Sequence, residues 1–86
     1  MKNDLKRFIN SSEQVVVWPA KQAYKELVVE YLATKFDFGK SYHEIEVNEV
    51  LKQWHTFGDW PLLRRELFER GYLDRNRSGT SYTRLK

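Results

Sequence analysis

The sequence contains no cysteine, so neither a disulfide framework nor a thiolate-ligated zinc can supplement its core. That absence fits a reducing compartment. The opening MKNDLKRFINSSEQ lacks the apolar run of a signal peptide, and no segment approaches the roughly 20 apolar residues of a membrane span. The expected location is therefore cytoplasmic, with no membrane as a partner. Glycine occurs four times and proline twice, and no glycines are spaced as a phosphate-cradling loop requires. The only histidines are His43 and His55, so a metal site would need carboxylates such as Glu44 and Glu46 to converge on them from separate elements. Neither a metal nor another cofactor is expected. Ser41 and His43 do not make a nucleophile pair, because no orienting third group or oxyanion loop accompanies them. The chain is expected not to be an enzyme. One-sided charge is scarce too: 15 basic residues against 12 acidic ones give +3, too mild a balance to name a polyanionic partner.

What is present is enough apolar sequence for one small domain spanning residues 1–86, whose folding buries roughly 60 to 70% of the surface of its unfolded chain. Leu5, Phe8 and Ile9 share one helical face and predict a short N-terminal helix with SSEQ as its exit. QVVVW, with three consecutive β-branched residues, reads as a strand or an extended staple across the core. Pro19 ends it and is suited to the first turn of the next helix. Ala20, Ala23, Tyr24, Leu27, Val28, Tyr31 and Leu32 form that helix's apolar stripe, and the helix should end near residues 36–39.

A second helix is expected over about residues 43–54, with Val47, Val50, Leu51 and Trp54 facing inward. Two capping frames are open, Ser41 with Glu44 or His43 with Glu46; serine is the better cap and is preferred. Asp59 and Pro61 then start a third helix. Beyond Gly71 the period changes to two, and YLDRN and TSYTRL flank RSG, a hairpin turn around Ser78 and Gly79 whose two-residue loop is either Arg77-Ser78 or Ser78-Gly79. Either register places Leu73, Arg75, Tyr82 and Arg84 on one face, with Leu73 and Tyr82 anchoring the hairpin to the helices. The expected fold is α+β and mainly helical: a winged helix-turn-helix-like three-helix core with a C-terminal β-hairpin and a short N-terminal helix and strand.

YHEIEVNEVL and FGDWPLLRRELFERGYLDR, with Trp18, Pro19 and Lys21 before the long helix and Gly79 and Tyr82 in the hairpin, resemble domain of unknown function 2087, a prokaryotic family. The resemblance covers nearly the whole chain. It implies a winged-helix-like fold and an association with transcription regulators, but no particular activity. Position 43 usually carries serine or threonine in that family, and a glycine turn is common where this chain has SSEQ.

Charge is distributed unevenly. Residues 62–86 carry seven basic and three acidic side chains, whereas residues 41–60 carry one basic and four acidic. On the third helix Arg64 falls between Leu67 and Phe68 on the inward arc, where it needs a partner. Glu46, and after it Glu49, are the expected carboxylates of a structural ion pair. Arg65 faces outward, but Glu66 and Glu69 share its surface and oppose a phosphate-lined groove. Glu66 is placed to pair with Arg70 at i,i+4. Arg75, Arg77, Arg84 and Lys86, with Arg65, are the candidate nucleic-acid-binding residues, and a hairpin wing would present them mainly to the DNA backbone. The leading expectation is a transcriptional regulator or its accessory module, binding double-stranded DNA weakly through the hairpin. The alternative is a protein-interaction or homodimerisation module that does not bind DNA.

Overall fold

The computed structural model describes residues 2–86. A short helix α1 (Lys2–Leu5) runs into one turn of 3-10 helix (Lys6–Phe8), and Phe8 is buried. Asn10 then reverses the chain: its side-chain oxygen accepts from the main-chain N–H groups of Ser12 and Gln14 at 3.0 and 2.9 Å. Glu13 completes the turn at φ +63°, in the left-handed region that disfavours residues bearing a Cβ. Its carbonyl accepts from the Tyr31 hydroxyl at 2.6 Å, which holds it there. Glycine at this position relieves the strain while adding some unfolded-state entropy, so Glu13→Gly is expected to stabilise by about 0.5 to 1 kcal/mol. A thermal melt should rise by about 2 to 8 °C, and a fall would show that the Glu13 side chain contributes something else.

The β-branched run is a staple, with no extended strand. Val15 is fully buried and makes isolated bridges to Ile9 and His55. Its N–H donates to Trp54 O at 2.8 Å and its carbonyl accepts from Thr56 at 3.0 Å. Val16 and Val17 are exposed, so only one of the three reaches the core. Pro19 is buried in the extended lead-in that follows, and the long helix α2 (Gln22–Ala33) begins later than expected, with Lys21 as an N-cap that makes no side-chain bond. The buried stripe is also turned. Val28, Val29, Leu32 and Ala33 are fully buried whereas Ala20 and Ala23 are exposed. α2 packs against the N-terminal segment on one flank, with Phe8 5.2 Å from Tyr24, and a later helix on the other, so its buried arc follows its neighbours more than its own apolar maximum.

Strand β1 (Ser41–His43) follows, and helix α3 (Glu44–Trp54) starts directly from it. His43 is the N-cap residue, and Glu46 accepts its main-chain N–H at 2.9 Å. The preferred serine cap is therefore corrected: Ser41 lies in the strand, and its hydroxyl is 2.6 Å from that of Ser81. Helix α4 (Trp60–Glu69) begins as expected, with Asp59 accepting from Leu62 N–H at 3.3 Å and a proline in the first turn. Gly71, at φ +81°, closes it, and Tyr72 N–H returns to Leu67 O at 2.9 Å, the left-handed termination that glycine permits.

Strands β2 (Leu73–Arg75) and β3 (Ser81–Arg84) form the hairpin, pairing Leu73 with Arg84 and Arg75 with Tyr82. This is the register of a turn centred on Ser78 and Gly79. Asn76 organises the turn, its side-chain oxygen accepting from Thr80 and Ser81. β1 adds to the other edge of β3, Tyr42 opposite Tyr82, and the sheet order is β1-β3-β2. Three principal helices and this antiparallel sheet make an α+β fold compatible with a winged helix-turn-helix arrangement. The core lies between the helices and the inner sheet face, filled by Leu51, Leu63, Leu67, Leu73 and Tyr82.

Candidate nucleic-acid interface

Helix α4 divides as its sequence pattern requires: Leu63 and Leu67 are buried, Arg65 and Glu69 exposed. Arg64 reaches α3 but not the expected partner. Its guanidinium donates to the Asn48 side-chain oxygen and lies 3.8 Å from Glu44, while Glu46 caps α3 and Glu49 pairs with Lys52 at 3.3 Å. Asn48 and Glu44 sit one turn apart on the same flank of α3. The Arg64 side chain keeps 22% of its surface, so this is a water-accessible strut, not a stranded buried charge.

Glu66 and Arg70 pair as expected, Nε to Oε1 at 2.7 Å, within a larger network. The same guanidinium donates to Glu26 and Gln22 of α2, both at 2.8 Å, and the Tyr72 hydroxyl donates to the other Glu26 oxygen. Hydrogen bonding from Tyr72, and then the bond and charge of Arg70, hold the Glu26 carboxyl below its ordinary 4.5 against the opposing effect of burial. Burial first, and Glu26 second, push the Tyr72 hydroxyl well above its ordinary 10.0. Because Glu26 is lowered on folding, its stabilisation is complete above 4.5 and disappears as pH falls through the folded value. Its side chain is 47% exposed, so solvent screening limits the share to about 1 kcal/mol. Glu26→Gln should accordingly be less stable than the parent at neutral pH, and the gap in urea midpoints should close between about pH 5 and pH 3. A gap independent of pH would mean that the carboxylate charge is not what the network uses.

The five candidate cations separate into two groups. Arg75 stacks its guanidinium 4.0 Å above the Phe68 ring. Phe68 lies three residues beyond Arg65, on the same flank of α4. Arg65, Arg75 and the turn residue Arg77 are exposed and make no hydrogen bond or ion pair among the described residues. Arg84 instead turns inward: it donates to Phe36 O and Lys86 O, both at 3.0 Å, and lies 3.9 Å over the Phe38 ring. Lys86 sits 4.8 Å from the Tyr72 ring centroid. The sequence pattern had joined all five because it cannot show that the chain turns back against α2 after β3. Neutralisation of Glu66 by Arg70 also weakens the electrostatic objection to α4, leaving Glu69 as its exposed acid.

Among the described residues, no three His, Asp or Glu side chains come together as a metal site, and no helix is long and apolar enough to cross a membrane. His55 closes α3 from a buried position: Nδ1 contacts Leu51 O and Nε2 accepts from Asp59 N–H at 3.0 Å. Sequence reasoning missed its burial and the whole of β1.

These features define a small α+β domain in which a helical core carries a three-stranded sheet with a basic turn. The chain belongs to the DUF2087 family, described as an uncharacterized protein conserved in bacteria, whose family model matches residues 14–84. Comparison with curated proteins and with solved structures gave no match.

Proposed function

We propose that this domain is a non-enzymatic winged-helix-type module of bacterial transcription control that grips the DNA backbone weakly at the junction of α4 and the hairpin. The observation that carries this reading is the Arg75 guanidinium oriented by its stack on the Phe68 ring of α4, with Arg65 exposed on the same helix and Arg77 exposed in the hairpin turn. The helix and strand order, with β1 completing the sheet, supports a wing in that position. Arg84 and Lys86 are not included, because both fold back toward α2. Three phosphate contacts correspond to a slope of about −2 to −3 in log K against log salt. Fluorescence anisotropy with an arbitrary 20-base-pair duplex should give that slope, with Kd in the range of about 10⁻⁴ to 10⁻⁶ M. Arg77→Ala and Arg75→Ala should each reduce the slope by about one. Absence of binding at low salt would overturn the proposal.

A second reading, a protein-interaction or dimerisation module, is favoured by the outer surface of α3. Ile45 there is 72% exposed, with Glu46 and Glu49 also on the surface. This surface repels DNA but suits a basic, partly apolar partner. A DNA-silent protein whose rotational correlation time rises with concentration would support self-association.

A further inference from the structure

An open groove of about 690 Å³ lies between α1, α2 and the chain that leaves the sheet. Leu5, Leu27, Tyr31 and Tyr72 give it an apolar lining, and Arg84 and Lys86 supply its positive groups. We propose that this groove binds a small monoanionic amphiphile, a carboxylate with an apolar body. Its size falls within the usual range for small-molecule sites, which are mostly apolar with a few converging polar groups. The charge pattern selects the ligand. Two of the five Arg84 N–H groups are committed to main-chain oxygens, which fix the guanidinium in place and leave the remainder for an anion. The Lys86 ammonium faces the Tyr72 ring and donates to no acceptor among the described residues. Glu30 is the one acid among the described lining residues, and Glu26, bonded to the Tyr72 hydroxyl, also acts on Lys86. These carboxylates offset much of the positive charge, which favours a monoanion over a phosphate-like dianion.

The Thr34 hydroxyl is already bonded to Tyr31 O at 2.5 Å, so ligand recognition falls to the cations. This site does not depend on DNA binding. Decanoate, titrated below its micellar concentration and followed by NMR, should give saturable shifts at Leu27, Tyr31, Tyr72 and the Arg84 side chain. Decyltrimethylammonium should not. Lys86→Glu should weaken decanoate by about tenfold or more and reverse the preference toward the cationic amphiphile. Glu30→Gln, whose side chain is on the surface, should tighten decanoate by a few-fold. Three outcomes would each overturn the proposal: no saturation, equal binding of the two amphiphiles, or shifts centred on the exposed Val16, Val17 and Ile45.

Discussion

Replacing His55 with alanine is expected to destabilise the domain by about 3 kcal/mol, from two lost hydrogen bonds and an unfilled cavity. The residue is only 4% exposed. Asp59 N–H can only donate, so Nε2 must offer its lone pair, and the proton therefore sits on Nδ1 and points at Leu51 O. One ring thus joins the last turn of α3 to the cap of α4 while packing edge-on against Phe57 at 4.8 Å. Alanine strands both main-chain groups and opens a void beside Val15. Urea unfolding should show a midpoint lower by about 2 to 3 M at unchanged slope. His55→Phe should recover part of the packing but neither hydrogen bond, and so fall between the two. A midpoint for His55→Ala within the error of the parent would show that the ring is dispensable to the turn.

Tyr82→Ala should be more damaging, at about 4 kcal/mol. Tyr82 is 2% exposed and lies on the central strand, opposite Tyr42 on one side and Arg75 on the other. Its ring is the point at which both edge strands meet the helical core, so truncation loosens the whole sheet. For a domain whose net stability is about 5 to 15 kcal/mol, that loss brings unfolding close to working temperatures. Its hydroxyl has no partner among the hydrogen bonds of the described residues, and Tyr82→Phe should cost less than about 1 kcal/mol. Circular dichroism melts of the two variants separate the contributions. Equal losses would assign the role to the hydroxyl and not to the ring.

The elements that were legible in the sequence are those whose signals are local. α3 and α4 follow from apolar spacing with Asp59 and Pro61 as start signals, and the hairpin follows from a period of two around Ser78 and Gly79. β1 was not legible, because three residues carry no periodicity and their partner lies about forty positions away. The Arg64 partner was missed for a different reason. Glu44 with Asn48 and Glu46 with Glu49 occupy different flanks of α3, and only the crossing direction of the two helices chooses between them. The same holds at the candidate interface: Arg65, Arg75 and Arg77 were visible as cations, but the inward turn of Arg84 is set by the loop carrying Phe36, far away in sequence.

The pairing of Ser41–His43 with the final strand also has a temporal meaning. α2, α3 and α4 need only their own segments for their internal hydrogen bonds, although helices of 10 to 12 residues persist only once packed. Tyr42, however, has no strand to join until residues 81–84 emerge, at the end of this chain segment. Closure of the sheet must therefore wait for a long loop to be brought together, and non-local pairing of this kind slows folding. Until then the nascent domain carries an unpaired β1 edge and an uncovered core, and β3 is the strand that closes both.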